Sequence, residues 1–221
     1  FEKILTGYDQ WDFCQIQYNY MDVDYQAGLR GLKMASERGL GVVIMEPLKG
    51  GKLAIEVPPA PVKAVFDQAE RTWKPAEWAL QWLWNQAEVG LVLSGMSTFE
   101  QVEQNLVSAS RSGIGSLSLI EVRIIEEARN AWQGLAPVAC THCEYCLPCP
   151  NDVLIPQIFE IYNNAMMYGE QERGQRTYES QIAEANQADA CIECGECESL
   201  CPQHLTIIDY LKDAHAYLSK A

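Results

Sequence analysis

The sequence predicts an α/β fold in which three parallel strands alternate with helices, followed by a mainly helical segment. Two observations support this prediction. Between residues 13 and 110, short apolar runs of strand length alternate with longer stretches whose apolar residues recur every three to four positions, as in strands and amphipathic helices respectively. Beyond residue 139, eight of the nine cysteines fall in two short runs, and the segments around them have helical patterns.

The first two strands and the helix between them are predicted from apolar runs. The first strand is predicted over residues 13–20, FCQIQYNY, and an amphipathic helix over residues 26–38. The side chains of this helix that we expect to be buried are Leu29, Leu32, Met34 and Ala35. Residues 41–46, GVVIME, form a continuous apolar run, which is typical of a parallel strand buried on both faces.

The remaining elements are predicted from end signals and periodicity. Pro75 suits the first turn of a helix over residues 75–86, because its missing N–H has no partner there. A third strand is predicted over residues 89–94. Thr98 and Gln101 have the spacing of a capping box, and the helix that they open is predicted over residues 99–110. Strand–helix alternation implies parallel strands with right-handed crossovers. The further predicted helices cover residues 117–133, 155–168, 176–189 and 204–219.

Length and charge limit the classes of function. The chain has 221 residues and a net charge of −14, so one or two domains are expected. An acidic surface is a poor match for nucleic acid or anionic lipid, and no apolar run reaches the roughly 18 residues that span a bilayer. We therefore expect a soluble protein that binds neither. Residues 138–221 alone carry 13 acidic and 4 basic side chains. A docking partner of that segment would be basic, unless the acidity only keeps the protein in solution.

Two cysteine ladders provide the strongest functional signal. The first ladder, C-x-x-C-x-x-C-x-x-C-P, comprises Cys140, Cys143, Cys146 and Cys149. The second ladder, C-x-x-C-x-x-C-x-x-x-C-P, comprises Cys191, Cys194, Cys197 and Cys201. The second spacing is that of bacterial ferredoxins, in which the fourth cysteine of each run ligates the other cluster. On that pattern, one [4Fe–4S] cluster is held by Cys140, Cys143, Cys146 and Cys201. The other is held by Cys149, Cys191, Cys194 and Cys197.

Zinc and disulfides are the alternatives for these cysteines. Zinc also binds four thiolates, but it usually takes them as two separated pairs, whereas each ladder supplies three within seven residues. Disulfides need an oxidising compartment, and no secretory signal peptide is recognisable, so we expect a cytoplasmic protein. The ninth cysteine, Cys14, is predicted to be a thiol in the core.

Motifs in both halves of the chain carry a family resemblance. QYN on the first strand, MEPLKGG after the second and SGMSTFEQVEQN after the third resemble the closing part of an aldo/keto reductase barrel. The run CTHCEYCLPCP and the later CIECGECESLCP resemble the ferredoxin-type extension of a bacterial branch of that family. The resemblance implies the C-terminal portion of a (β/α)8 barrel over residues 1–115 and a connecting helix over residues 116–136. It further implies a mainly helical ferredoxin-like domain with two [4Fe–4S] clusters over residues 137–221.

The same resemblance implies that NADP(H), or NAD(H), binds across the C-terminal ends of the strands. By position, Gln15 would face the nicotinamide carboxamide, and Met45 takes the place of a ring that stacks on the nicotinamide in many members. The pyrophosphate would be bordered by Leu48, Gly50 and Gly51. The adenosine phosphate and adenine would be surrounded by Gly95, Ser97, Gln101, Gln104 and Asn105. Many members have a lysine at the position of Gly95 and an arginine at that of Gln101, so a weak hold on a 2′-phosphate is expected.

The motifs account for only part of a barrel. A complete barrel has eight strands, and no position here matches the family's catalytic tyrosine, lysine, aspartate and histidine. We therefore expect a longer protein with about five further N-terminal strand–helix units. That protein is expected to be an oxidoreductase that moves electrons between an organic or nicotinamide substrate and the clusters. The alternatives are a relay module that uses the clusters alone and a zinc-stabilised interaction domain.

Overall fold

The computed structural model describes residues 1–219, which divide into two compact units, one from Phe1 to Ala131 and one from Trp132 onward. The described strands of the first unit are β1 (Phe13–Gln17), β2 (Gly41–Met45) and β3 (Leu91–Val92). Its helices are α1 (Glu2–Gly7), α2 (Gly28–Glu37), α3 (Ala60–Phe66), α4 (Pro75–Trp84), α5 (Phe99–Ser110) and α6 (Leu119–Gln133), the last of which runs across the unit boundary.

The three strands form one parallel sheet in the order β1-β2-β3. Gln15 pairs with Val43 and Gln17 with Met45, so the carboxyl ends of β1 and β2 lie at the same edge. The third strand is shorter than the predicted span of residues 89–94. Two backbone bonds extend its pairing, from Gly90 N to Val42 O (3.0 Å) and from Leu93 N to Ile44 O (2.9 Å).

The core of the first unit covers one face of this sheet. Ile16, Val42 and Ile44 are almost fully buried and pack with residues of α2 and α4. The opposite face is open in the described residues, since Phe13 is 64% exposed and Leu91 is 49% exposed. The prediction that residues 41–46 are buried on both faces is therefore wrong for this structure, in which buried and more exposed residues alternate along β2.

Helix α2 shows how glycine changes a predicted face. Leu32 and Ala35 are buried as predicted, but Leu29 is 38% exposed and the prediction for it is wrong. Gly28 and Gly31 are buried instead. A Cβ at Gly31 would lie 2.6 Å from the Cβ of Ala27 and 3.1 Å from the Phe1 ring. The backbone of Gly28 and Gly31, and not the side chain of Leu29, therefore forms this part of the buried face of α2.

All the regular secondary structure described in the second unit is helical. Its helices are α7 (Ile155–Tyr168), α8 (Gln171–Gln181), α9 (Glu196–Leu200) and α10 (Ile207–Leu218). The prediction of a helix over residues 176–189 is wrong in both bounds, because α8 begins five residues earlier and residues 184–190 contain two short 3-10 turns. The cause is the composition of α8, which contains so few apolar residues that the sequence shows no clear helical periodicity. Among the described residues, no helix is long and apolar enough to cross a membrane.

Candidate functional site

The first cage is a cavity lined by four cysteines from both ladders. Cys140, Cys143 and Cys146 of the first ladder and Cys201 of the second line it. Its remaining wall is mainly apolar and includes Ile155, Pro156, Phe159, Leu205 and Ile207. Phe159 is fully buried and Ile207 nearly so. The first cage therefore combines four sulfur atoms with a hydrocarbon lining that limits access of water.

The second cage is lined by the other four ladder cysteines. Cys191, Cys194 and Cys197 of the second ladder and Cys149 of the first line it. The apolar part of its wall includes Val153, Ile155, Ile192, Ile208 and Leu211. Each cage thus takes three cysteines from one ladder and the fourth from the other, which is the grouping that exchange of the fourth ligand requires. Ile155 borders both cages.

The two ladders have the same backbone conformation at equivalent positions. His142 (φ 57°) and Glu193 (φ 56°) each lie two residues after the first cysteine of a ladder. Asp152 (φ 54°) and His204 (φ 51°) each lie three residues after the fourth. The backbone N–H of each of the latter pair donates to the carbonyl of that fourth cysteine at 3.0 Å. Left-handed residues turn the chain sharply, and they curl each ladder around its cavity despite the one-residue difference in spacing.

Side-chain hydrogen bonds tie the ladders together outside the cages. Asn151 Nδ2 donates to the carbonyl of Ala190, just before the second ladder, at 2.5 Å. Asn186 Nδ2 donates to the carbonyl of Asp152 at 2.8 Å. At the entrance to the first ladder, Asn163 binds both backbone groups of Val138, accepting from N at 3.0 Å and donating to O at 2.7 Å. These amides fix the segments that present the sulfur atoms.

Burial alters the acidity of the cage thiols. Burial raises the pKa of Cys146 to about 11, and the charges of Cys140, Cys143 and Cys201 add to the shift. Burial likewise raises the pKa of Cys197 to about 11, together with the charge of Cys191. Four thiolates this close to one another are stable only with a compensating cation, and metal binding releases their protons. This donor set therefore fits a cationic centre in each cage.

The donor chemistry matches [4Fe–4S] clusters, which take four cysteine thiolates each. In residues 1–219, no group of three or more histidine, cysteine, aspartate or glutamate side chains is placed so that it could hold a single metal ion. None of the nine cysteines forms a disulfide.

The ninth cysteine, Cys14, is half-buried at the edge of the core of the first unit, and burial raises its pKa.

A cleft of about 850 Å³ lies at the carboxyl edge of the sheet in the first unit. Loops that follow β2 and β3 and the start of α5 line it. Ten residues were assigned by the family resemblance to contacts with the nicotinamide nucleotide. Nine of them line this cleft: Met45, Leu48, Gly50, Gly51, Gly95, Ser97, Gln101, Gln104 and Asn105. The tenth, Gln15, is not in the lining, but its Nε2 donates to the Met45 sulfur at 3.2 Å. The structure thus brings together residues from all three strand–helix units.

The loop after β2 is held by a buried polar cluster for which the sequence carries no clear signal. Lys49 Nζ lies 2.6 Å from Asp22 Oδ1, and both side chains are largely buried. Asn19, which is fully buried, donates to the carbonyl of Glu46 at 3.0 Å. Glu46 and Lys49 have positive φ, and these contacts hold that strained backbone. The Lys49 side chain is bound to Asp22 and is not part of the cleft lining.

The start of α5 is fixed by a complete capping box. Thr98 Oγ1 accepts from Gln101 N at 3.2 Å, and Gln101 Oε1 accepts from Thr98 N at 3.3 Å and from Ser97 N at 2.8 Å. Asn105 Nδ2 donates to Ser94 Oγ at 3.2 Å. The polar side chains on this wall of the cleft are therefore held in fixed positions before any ligand binds.

Comparisons with known proteins match two parts of the chain to different profiles. The profile of the aldo/keto reductase family matches residues 1–113, and that of a 4Fe-4S dicluster domain matches residues 139–206. Among solved structures, the holo form of the aldo-keto reductase AKR11C1 from Bacillus halodurans is 19% identical with a TM-score of 0.45, covering 57% of this chain and 45% of that chain. Its apo form is also 19% identical, with a TM-score of 0.44 and coverages of 57% and 47%. The chain spans less than half the length of these structures. No curated protein sequence matches it.

A parallel α/β unit with a cleft at its strand ends and a helical unit with two four-cysteine cages define an α/β protein with a dicluster iron–sulfur domain. The aldo/keto reductase profile covers just over half of the 221 residues. The chain therefore belongs to the aldo/keto reductase family. The predicted fold class, a portion of a (β/α)8 barrel followed by a mainly helical ferredoxin-like domain, is confirmed.

Proposed function

We propose that the protein is an iron–sulfur oxidoreductase of aldo/keto reductase type. In this proposal, two [4Fe–4S] clusters exchange electrons with a nicotinamide, NADP(H) or NAD(H), or with another organic substrate in the cleft. The single observation that carries the proposal is the sorting of eight cysteines into two cages, each completed by the other ladder. The dicluster profile over residues 139–206 supports it independently.

The cage residues would hold the clusters and control their surroundings. The eight cysteines supply the thiolates, while Phe159 and Leu211, both nearly inaccessible to solvent, shield them from water. When bound, such clusters supply one-electron transfer, and reduction potentials depend on hydrogen bonds, charge and solvent exposure around the sulfurs. Two one-electron centres match a hydride donor, which gives up two electrons at once.

An acidic surface beside the exposed cage cysteines supports a basic redox protein as partner. Cys143 and Cys194 are exposed, and the neighbouring Glu144 and Glu196 are exposed too. A basic partner would be steered to such a surface, and salt would weaken the attraction. We assign the protein to the cytoplasm, where thiols remain reduced.

Anaerobic reduction tests the coupling of nicotinamide to the clusters. The iron-loaded protein is mixed with NADH or NADPH, and the visible iron–sulfur absorbance is followed. Dithionite serves as the control that the clusters are reducible. Bleaching by either nicotinamide is the expected result. Bleaching by dithionite but by neither nicotinamide would reject the coupling.

A relay module that uses the clusters alone is the second candidate, favoured by the exposure of Cys143 and Cys194. Its test is electron transfer from the dithionite-reduced protein to cytochrome c, a basic one-electron acceptor. We expect the rate to fall as salt is added, and to fall at low salt when Glu144→Gln and Glu196→Gln are combined. Glu172→Gln is the matched control, because its side chain is 90% exposed on α8 and lines neither cage. If the unmodified protein, the combined Glu144→Gln and Glu196→Gln variant and the Glu172→Gln control all transfer electrons at the same rate, the acidic surface does not attract the acceptor.

A further inference from the structure

The two cages reach the solvent through equivalent parts of the two ladders. Residues 141–145 of the first ladder are all exposed, and so are residues 192–196 of the second except for the half-buried Gly195. Each segment contains the exposed cysteine of its cage. We call residues 141–145 together with Glu160 the first mouth, and residues 192–196 together with Lys212 the second mouth.

Glu160 and Lys212 place opposite charges at the same position of the two mouths. Each lies eleven residues after the fourth cysteine of a ladder and is exposed. Each also faces the residue that lies two positions after the first cysteine. Glu160 Oε2 is 3.9 Å from His142 Nδ1, and Lys212 Nζ is 2.9 Å from Glu193 Oε1. The first mouth therefore has a carboxylate where the second has an ammonium group.

Both of these charges lie close enough to the cages to influence the cysteines. Burial raises the pKa of Cys140, and the charge of Glu160 adds to the shift. The hydrogen bond from Lys212 to Glu193 raises the pKa of Lys212, and the charge of Cys191 adds to it. A partner bound at either residue would therefore be near the sulfur atoms of a cage.

The first mouth is the more acidic of the two. It contains two carboxylates, Glu144 and Glu160, and no lysine or arginine, which gives a formal charge of −2 with histidine neutral. The second mouth contains two carboxylates, Glu193 and Glu196, against Lys212, which gives −1. A positively charged surface is therefore attracted more strongly to the first mouth.

Two further carboxylates near the second mouth are offset locally. Glu198 is half-buried, and its Oε1 accepts from the backbone N of Ile208 at 2.9 Å, at the start of α10. Asp209 lies in the first turn of the same helix, and its charge adds to the raised pKa of Lys212. The partial positive charge of a helix N-terminus stabilises carboxylates in these positions. Neither carboxylate therefore reverses the difference between the mouths.

The first mouth also has an aromatic side chain that a partner could cover. Tyr145 is 64% exposed, and tyrosine is enriched at the centre of protein interfaces. The equivalent position of the second ladder is Glu196, five residues after its first cysteine. The exposed apolar residue of the second mouth, Ile192, lies next in sequence to Glu193, which Lys212 binds.

We infer that a basic one-electron carrier docks on the first mouth and not on the second. Lysine side chains of the carrier bind Glu144 and Glu160, and an apolar patch around its redox centre covers Tyr145. One electron passes from the reduced cluster of the first cage to the oxidised centre of the carrier, and no bond is made or broken. The inference rests on the proposed function, because it assumes the clusters and a basic redox partner.

Electron-transfer rates test the inference with a matched change of charge. The iron-loaded protein is reduced with dithionite, freed of excess reductant and mixed with cytochrome c at low salt without oxygen. We expect Glu160→Lys to lower the second-order rate constant at least about fivefold, because it removes electrostatic steering to the first mouth. Glu172→Lys makes the same change on α8, outside both mouths, and should lower it less than about twofold. Iron content and electron paramagnetic resonance spectra verify that each variant keeps both clusters.

An exchange of charges should move the docking site. Glu160→Lys combined with Lys212→Glu leaves the net charge at −14. Carbodiimide cross-linking joins carboxylates to lysines that contact them, and mass spectrometry identifies the linked residues. We expect the unmodified protein to be linked to cytochrome c through Glu144 and Glu160. The exchanged protein should be linked through Glu193 and Glu196 instead.

The outcomes separate this inference from the proposed function. If the reduced protein keeps both clusters but passes no electrons to cytochrome c, the basic partner itself fails, and the inference falls with it. If electrons pass but Glu160→Lys is no slower than Glu172→Lys, the inference fails while the partner stands. Cross-links of the unmodified protein through Glu193 or Glu196 in place of Glu144 and Glu160 have the same meaning.

Discussion

At the scale of single residues, the chain leading into the first ladder is held by one partly buried side-chain contact. Asn163 on α7 satisfies both backbone groups of Val138, two residues before Cys140. We expect Asn163→Ala to lower the free energy of unfolding by about 1–3 kcal/mol, because both backbone groups lose their partner. Chemical denaturation of the iron-loaded protein measures this loss. Asn164→Ala, next to it on the same helix, should change stability by no more than about 0.5 kcal/mol, and an equal loss in the two variants would count against the assigned role.

Cys201 tests, at the same scale, whether the ladders exchange their fourth cysteines. It lines the first cage with three cysteines of the other ladder. We therefore expect Cys201→Ser to remove the cluster of the first cage, although Cys201 belongs to the second ladder in sequence. Iron content should fall to about half, from about eight to about four per chain, and electron paramagnetic resonance should show the loss of one signal. Cys14→Ser is the control and should keep both clusters. Loss of the cluster held by Cys191, Cys194 and Cys197 instead would contradict the exchange.

The groups of cysteines predicted from the spacing are the groups that line the two cages, but the spacing did not reveal how the backbone forms the cages. The ladder pattern determines which sulfurs are available, because ligands so close in sequence converge easily on one centre. The left-handed conformations of His142 and Glu193 could not be predicted from the sequence, since neither residue is glycine. The pairing of Asn163 with Val138 joins residues 25 positions apart. Such contacts depend on how the helices pack.

At the scale of secondary structure, local end signals made some elements predictable. The bounds of α5 match the prediction because its capping box lies within four residues of sequence. The bounds of α8 do not, because its helical face is set by contact with α7 and α10. Gly174 near the centre of α8 would have reduced the expectation of a helix there. In the folded chain this glycine is buried and allows the close approach of the neighbouring helices.

Gly174 therefore provides a test of helix packing in the second unit. A Cβ at this position would lie 2.6 Å from Ala165 Cβ and 3.0 Å from Leu218 Cδ2. We expect Gly174→Ala to destabilise the protein by about 1–3 kcal/mol through overpacking, despite the better helix propensity of alanine. Thermal unfolding of the iron-loaded protein measures the effect. Gly113→Ala is the control, because its nearest neighbour, Ser116 Cβ, would be 3.8 Å away. A Gly174→Ala protein as stable as this control would contradict the close packing.

At the scale of the whole molecule, the chain combines two units that sequence motifs identified separately. The parallel strands could be predicted from the strand–helix alternation, and the cleft at their carboxyl edge could be predicted from the family motifs. The charge of the cleft was only partly predictable. The lack of cations at Gly95 and Gln101 is visible in the sequence, and so is the position of Glu46 at the end of a strand, whereas the contribution of Glu56 to the lining requires the fold.

The two-cluster assignment is tested most directly by metal analysis with Mössbauer spectroscopy on protein prepared without oxygen and enriched in the Mössbauer-active iron isotope. We predict about eight iron and about eight sulfide per chain, with the spectrum of two [4Fe–4S] clusters. A colourless protein that contains zinc, or one that is fully folded without iron, would contradict this assignment.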